Sequence, residues 1–256
     1  MEKTKRFLQI AISYEFLIGI FSCIILIKSK SLIVIFPVLF ATGGVLCFVF
    51  MYTTIKAAAK GNIAKFPYGT GRLENASAFS LAALLSAGTA IAVLSIAIAI
   101  FSPEKISPKM GLTTLVMFIS AFGNSLQAVY SSKVQDKEDN PIIISLYHAY
   151  KTGAVRDVVL FMLLLAFWFF GHDKGYLMFW VDKIAALLLC FYAFYHFLPQ
   201  IWTNFRDLVD FPLPEEKQIL MMSVLTKYFE EYEMIGNIYT TKKGSKEIVE
   251  VELEFK

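Results

Sequence analysis

The sequence predicts an all-α membrane domain of six transmembrane helices, followed by a short α+β tail. Hydrophobic residues make up 57% and charged residues 18% of the 256 residues, and the mean hydropathy is +0.59. These values are too apolar for an ordinary soluble domain of this length. The chain also contains six apolar runs of the length that a bilayer requires, about 20 residues each. After residue 203 the apolar run gives way to charged residues and prolines.

The predicted spans cover residues 7–27, 32–55, 75–101, 110–131, 141–170 and 176–203. The first run is not followed by a small-residue cleavage site, so we expect a retained helix rather than a signal peptide. Trp168, Trp180 and Trp202 lie near predicted span ends, where aromatic rings favour the headgroup region. These boundaries predict a membrane domain at 1–203 and a tail domain at 204–256.

Basic residues are unevenly distributed between the two faces of this arrangement. One face carries Lys3, Lys5, Arg6, Lys56, Lys60, Lys65, Arg72, Lys133 and Lys137. The opposite loops carry Lys28, Lys30, Lys105, Lys109 and Lys174. Loops rich in Lys and Arg stay on the cytoplasmic side, so we expect both termini in the cytoplasm. The sequence therefore predicts a multi-pass protein of the cell inner (plasma) membrane.

The tail has the pattern of one helix and two strands. Apolar residues at helical spacing, including Leu220, Val224 and Phe229, predict a helix from Glu215 to about Tyr232. From Ile238 to Phe255, two short runs flank a turn and predict a hairpin. A unit of this size is marginal alone, so we expect it to pack on another copy or subunit.

Several functional classes are excluded by what the sequence lacks. The net charge is only +3 and the basic residues lie in loops, which gives no surface for nucleic acid. Cys23, Cys47 and Cys190 lie singly in apolar runs, without the spacing of a zinc or disulfide framework. Enzymatic motifs such as Gly-x-Ser-x-Gly and His-Glu-x-x-His are absent. We therefore expect neither an enzyme nor a bound cofactor.

The segment Phe66–Glu74 reads Phe-Pro-Tyr-Gly-Thr-Gly-Arg-Leu-Glu. It resembles the loop before the third helix of cation diffusion facilitators, which commonly reads His-Pro-Tyr-Gly-His-Gly-Arg-x-Glu. The matching residues are Gly69, Gly71, Arg72 and Glu74. The run from Asp182 and the segment from Asp207 to Glu216 resemble the family's sixth helix and the linker after it. The helix number and order also agree.

This resemblance implies a fold and a function. The tail would be part of a ferredoxin-like domain, and the protein would form a homodimer or a heterodimer with a related transporter. Family members usually move zinc, iron, manganese or similar divalent ions out of the cytoplasm, often as antiporters against proton entry. The divalent ion is then a substrate rather than a resident cofactor.

The family's central metal site uses two pairs of ligands, four residues apart, on the second and fifth helices. Alignment with this sequence places the first pair at Phe40 and Gly44, and the second at about Lys151 and Val155. None of these side chains is a usual ligand for a divalent metal, and an ammonium group stands at one of the positions. The resemblance therefore implies a transporter with an altered site.

Polar residues at membrane depth are candidates for a transport path, because ionisable groups are costly there. His148, Lys151 and Asp157 lie on the fifth helix, where Arg156 or Lys151 is the expected partner of Asp157. Glu15 lies on the first helix and forms either a structural ion pair or a site for a coupling proton. Asn124 in the fourth helix either packs across helices or lines the path.

His196 in the sixth helix is more simply explained by a bond to a nearby carbonyl, although with Tyr195 it is also placed to line a cavity. His172 belongs to a short loop that we interpret as a solvated turn.

Two hypotheses follow from these residues. The first is a divalent cation transporter with an altered site that uses His148, Asp157 and Glu15. The second is a transport-inactive homologue that acts as a structural or regulatory partner in the membrane. A wet cavity enclosed by His148, Lys151 and Asp157 would favour transport, and a dry ion pair would favour a scaffold.

Overall fold

The computed structural model describes residues 2–29, 35–59, 71–101, 110–135, 140–170, 175–244 and 246–255. The elements are α1 Glu2–Ser29, α2 Ile35–Ala59, α3 Gly71–Phe101, α4 Met110–Gln135, α5 Pro141–Phe170, α6 Gly175–Leu208, α7 Glu215–Thr226, β1 Tyr232–Lys243 and β2 Lys246–Phe255. Helices α1 to α6 overlap the six predicted runs. Helices α1 and α3 begin five and four residues before the predicted starts, and α2, α4 and α6 end four, four and five residues after the predicted ends.

Within the residues that the structure describes, four of these helices contain segments long and apolar enough to cross a membrane. The segments are Arg6–Ile27, Pro37–Lys56, Gly71–Phe101 and Lys183–Leu208. Their number and length indicate a multi-pass membrane protein. Helices α4 and α5 contain polar residues that include Asn124, Lys151 and Asp157. That these two helices also cross the membrane stays a prediction.

The six long helices form a closed ring of neighbours. In order around the ring, α1 packs on α2, α2 on α3, α3 on α6, α6 on α5, α5 on α4, and α4 returns to α1. Helix α3 also reaches α5, and α4 and α5 share the most extensive of these interfaces. Ionisable side chains that enter this ring from α1 and α5 therefore come close to residues of α2 and α4.

The distribution of polar and apolar residues is that of a membrane bundle. Leu94 and Phe101 are 63% and 87% exposed on the outside of the ring, whereas Asp157 and Asn124 are buried within it. Apolar side chains suit a surface covered by lipid, where polar groups must find internal partners. The largest apolar core includes Phe7, Leu8, Met51, Ile142 and Leu146.

The boundary between the tail helix and the first strand differs from the prediction. Helix α7 ends at Thr226 rather than near Tyr232, and β1 already begins at Tyr232 rather than Ile238. Tyr232 is buried, and its hydroxyl donates a 2.9 Å hydrogen bond to the carbonyl oxygen of Leu225. This contact folds the chain back beneath the last turn of α7. Phe229 continues the apolar helical spacing in sequence, which is why the prediction ran too far.

The hairpin is antiparallel, as predicted, and Lys243 pairs with Lys246 across its turn. Gly244 in the turn has φ of 66°, a left-handed conformation that favours glycine. Strand β2 is mostly exposed, β1 has one buried residue, and α7 contains no buried residue. A two-stranded sheet is marginally stable by itself, so this tail depends on contacts beyond its own residues.

Candidate functional site

A polar cluster lies inside the ring of helices, between α1, α4 and α5. It is called the core polar cluster here and consists of Tyr14, Glu15, Ser120, Asn124, Tyr150, Arg156 and Asp157. It contains two carboxylates and one guanidinium group.

Asp157 is the best-bonded member of the core polar cluster. Its Oδ2 accepts hydrogen bonds from Ser120 Oγ at 2.5 Å and from Asn124 Nδ2 at 2.7 Å, and its Oδ1 accepts one from Arg156 Nε at 2.7 Å. Asp157 is fully buried and Arg156 is 6% exposed. Charge-assisted hydrogen bonds of this kind are about twice as strong as neutral ones. Asp157 and Arg156 therefore form a buried ion pair inside the bundle.

Arg156 also contacts α2. Its guanidinium carbon lies 4.2 Å from the centroid of the Phe40 ring, within the range of a cation–π interaction. Its Nη1 atom is buried and makes no hydrogen bond to any described residue. Arg156 is thus held by one carboxylate and one aromatic ring, and it retains unused donor capacity.

Glu15 lies on α1 opposite Gly44 of α2. A Cβ atom added at Gly44 would lie 3.7 Å from the carboxyl carbon of Glu15, so the glycine leaves room beside this carboxylate. The Tyr150 hydroxyl is close enough to Glu15 to interact electrostatically but makes no hydrogen bond of standard geometry within the described structure. Arg156 also interacts electrostatically with Glu15.

A cavity of about 30 Å³ lies beside these groups. Its lining includes Glu15, Phe40, Gly44, Asn124, Gly153 and Arg156. A water molecule needs roughly 10–15 Å³ of such space, so the cavity can hold one or two waters or a single small ion.

Tyr14 ties α1 to α4 next to the core polar cluster. Its hydroxyl donates a 3.1 Å hydrogen bond to the backbone oxygen of Ser120, whose side chain bonds to Asp157. The Tyr14 ring lies directly against Gly123, where an added Cβ would come within 2.3 Å of ring atoms. The glycine therefore allows the close approach of the two helices.

The structure separates the four aligned ligand positions into two groups. Phe40 and Gly44 line the core cavity. Lys151 is exposed and Val155 is 38% exposed, so these two side chains lie outside the core. Gly153 and Asp157 are also four residues apart on α5 and lie within the core, since Gly153 lines the cavity and Asp157 is buried. The aligned pair on α5 and the aligned pair on α2 are not brought together.

His148, Lys151 and Asp157 do not share one cavity. Lys151 lies over the ring of Tyr147, with its Nζ 5.6 Å from the ring centroid. His148 lines a second cavity, of about 510 Å³, between α5, α6 and the tail. The lining of this second cavity includes His148, His196, Asn204, Asp207 and Lys242.

The residues of the matched loop connect the bundle to the tail. Arg72 forms an ion pair with Asp210, and the other oxygen of Asp210 accepts a 3.0 Å hydrogen bond from Thr241 Oγ1. Glu74 accepts a 3.2 Å hydrogen bond from Asn140 Nδ2 at the start of α5.

Gly71 packs against the hairpin turn, where an added Cβ would lie 2.3 Å from the Lys243 carbonyl oxygen. Gly69 lies outside the described residues.

The membrane part of the chain has a recognisable family pattern. Residues 8–209 match the family described as the cation efflux transmembrane domain. The chain belongs to the cation efflux family. The match runs from α1 through α6, so the ring and the core polar cluster lie inside the family domain, and α7 and the hairpin follow it. No curated protein matches the chain.

Membership of the cation efflux family confirms the resemblance noted in the sequence. The family consists of cation transporters rather than enzymes, and its membrane helices contact the lipid bilayer. That Phe40 and Gly44 stand at the positions of the family's metal ligands on α2 stays a prediction.

Four members or neighbours of the core polar cluster are absent from the sequence-based candidates: Tyr14, Ser120, Tyr150 and Gly153. Tyr150, Gly153 and Asp157 have the spacing i, i+3 and i+7, which places them on one helical face. This spacing could have predicted that Tyr150 and Gly153 lie beside Asp157. Ser120 precedes Asn124 by one turn, so the same spacing places it beside Asn124.

Proposed function

We propose that this cation efflux protein transports a divalent cation through a rebuilt site, formed by the core cavity and the carboxylates of Glu15 and Asp157. The observation that carries the proposal is the charge of the core polar cluster. Two buried carboxylates face one guanidinium, so one negative charge is in excess when both acids are ionised. Buried charge at membrane depth is costly unless it is paired, and a divalent cation would balance both carboxylates once Arg156 has released Asp157.

The guanidinium of Arg156 acts in this proposal as a tethered counter-ion. All three hydrogen bonds to Asp157 use oxygen lone pairs that a metal would need. Binding of the substrate ion therefore requires Arg156 to release Asp157 Oδ1 and to remain over Phe40. The freed oxygen, together with Glu15, supplies carboxylate oxygen ligands, which manganese prefers and zinc also accepts.

Proton coupling is assigned to Glu15. Asp157 already has three donors, whereas Glu15 has no hydrogen bond of standard geometry from Tyr150. Metal ligands must be deprotonated, so departure of the ion lets a proton take its place on this carboxylate. Alternating exposure of the cavity would then couple cation efflux to proton entry, with both termini in the cytoplasm of a plasma-membrane protein.

A dimer accounts for the exposed tail. Leu220 and Phe229 are each 67% exposed, although they are large and apolar. A second copy of this chain or a related transporter that packs on the tail would bury them. This arrangement is part of the proposal.

A second candidate function is a transport-inactive partner, and the buried Arg156–Asp157 ion pair favours it. A buried ion pair can serve specificity of packing rather than transport. In such a partner, the Arg156 guanidinium would remain paired with Asp157 and no metal ion would bind there.

Flux measurements on the purified protein in proteoliposomes test the proposal. We expect saturable manganese, zinc or iron flux under an imposed pH gradient, lost in Glu15→Gln and in Asp157→Asn. Glu216→Gln in the exposed part of α7 is the matched control and should transport normally.

Equal flux in Glu15→Gln and in the unmodified protein would refute the assigned site. Absence of flux for all three ions in the unmodified protein, together with stable association with an intact family transporter, would support the partner role.

A further inference from the structure

The second cavity contains a pair of histidines that the core polar cluster does not use. His148 on α5 and His196 on α6 are two of the three histidines in the chain. Their ring centroids are 6.3 Å apart and their planes are inclined by 35°. Neither ring is close to Asp157, since His148 precedes that residue by nine positions, or roughly 13 Å along the helix axis.

The His148 side chain packs against aromatic rings. Its neighbours are His196 and, edge-on, Tyr147, with ring centroids 5.4 Å apart in the latter pair. Its Nδ1 atom is buried and has no hydrogen-bond partner among the described residues. A buried polar atom without a partner costs about 1–3 kcal/mol, so this nitrogen needs an explanation other than packing.

The space in front of the two rings is large enough for a hydrated ion. The cavity volume is about 510 Å³, and Ser145, Gln200 and Asn204 add polar atoms to its lining. Asp207 and Lys242 lie toward the tail end of the same cavity. The cavity thus leads from the junction with the tail to the two imidazoles.

The ring separation suits one bridging metal ion after a small adjustment. With a Zn–N distance of about 2.0–2.1 Å, two imidazoles on one tetrahedral ion have centroids roughly 5 Å apart. The observed 6.3 Å is about 1 Å longer. Rotation of two side chains that border an open cavity can supply this difference.

We propose that His148 and His196 form a loading site for a borderline first-row transition cation such as Zn²⁺, Co²⁺ or Ni²⁺. Neutral imidazole selects these ions over Mg²⁺ and Ca²⁺. No group of three or more His, Cys, Asp or Glu side chains capable of holding a metal is present in the described ranges, so waters complete the coordination. Two protein ligands give weak binding. Weak binding suits a loading site, because the ion must leave it to reach the core cavity.

The surrounding cations oppose tight binding as well. Lys151 interacts electrostatically with both rings, and Lys242 lines the cavity. This site deepens the proposed transport function, on which its role as a loading site rests. Metal binding by the two rings is itself independent of transport.

Cobalt binding to the full-length protein in detergent tests the site, because Co²⁺ in a tetrahedral site absorbs visible light much more strongly than Co²⁺ in water. We expect a Co²⁺ site whose affinity falls about tenfold or more in His148→Gln and in His196→Gln, since even loss of a supporting group commonly costs 10–100-fold. His172→Gln removes the third histidine and is the matched control, with unchanged binding expected. Size-exclusion profiles of all variants establish that they are folded.

Unchanged Co²⁺ affinity in folded His148→Gln and His196→Gln, or failure of the unmodified protein to bind Co²⁺, would overturn the inference. Glu15→Gln separates the two proposals, because it should abolish flux while leaving the Co²⁺ spectrum unchanged. Binding that depends on both histidines without any flux would refute the transport proposal alone. Flux with histidine-independent binding would refute the loading site alone.

Discussion

Gly123→Ala should destabilise the bundle, because the Tyr14 ring occupies the space that an added methyl group needs. The new Cβ would lie 2.3 Å from both Cε2 and Oη of Tyr14 and 2.4 Å from its Cζ. Normal carbon–carbon contacts are about 3.5–4.0 Å, so the rigid ring must move by more than about 1 Å. That movement strains or breaks the 3.1 Å hydrogen bond to the Ser120 backbone.

The expected magnitude combines three effects. Overpacking costs about 1–3 kcal/mol, and loss of an interhelical hydrogen bond in a membrane protein costs about 0.6 kcal/mol on average. Alanine in place of glycine returns about 1 kcal/mol of helix propensity. We expect a net loss of about 1–2 kcal/mol, which corresponds to a lower melting temperature by about 2–8 °C for a chain of this size.

Thermal unfolding of the detergent-solubilised protein measures this change, and Gly88→Ala provides the control. Apart from the surrounding helix backbone, no atom in the part of the chain that the structure describes lies within 4 Å of a Cβ added at Gly88, so this substitution should be neutral or slightly stabilising. Equal melting temperatures for Gly123→Ala and Gly88→Ala would refute the packing of Tyr14 on α4.

Three further changes test other parts of the structure. Arg156→Gln should lower the free energy of unfolding by about 3–5 kcal/mol, because it leaves the Asp157 carboxylate buried without its cation; the double variant with Asp157→Asn should be more stable than the single one in the same thermal assay. Arg72→Gln should change global stability by less than about 1 kcal/mol, because its ion pair with Asp210 is exposed, yet limited proteolysis should cleave the tail faster. Tyr232→Phe removes the hydroxyl that bonds to α7 and should cost about 1 kcal/mol, measured as lower hydrogen-exchange protection at the end of α7.

The helices were predictable because their apolar length identifies them. The predicted run 75–101, for example, is mostly apolar and lies within one helix, whereas the polar first turn from Gly71 to Glu74 resembled a loop. The end of α7 was less predictable, because Phe229 fits the helical period while the buried Tyr232 begins a strand. The packing of Tyr232 beneath α7 accompanies the end of this helix at Thr226, and the spacing of apolar residues in the sequence does not reveal it.

The charged residues of the candidate site could be predicted from the sequence, because charged side chains are rare in membrane helices. Glu15, Arg156 and Asp157 stand out in apolar helices, and the structure places them in one cluster. Tyr150 and Gly153 do not stand out, since tyrosine and glycine are common in membrane helices. Their role depends on which face of α5 turns inward, and that orientation is set by packing against α3, α4 and α6.

The first turn of α3 contacts both the hairpin turn and the start of α5. Gly71 lies beneath the hairpin turn, while Glu74, one turn later, accepts a hydrogen bond from Asn140 at the first turn of α5. Helix α3 packs mainly on α6 and α2, whereas α5 packs mainly on α4. Any movement of α5 relative to α3 would therefore change the contacts at the start of α3, which the hairpin turn also touches. A molecule that binds the hairpin and holds it in place would then restrict that movement of the helices.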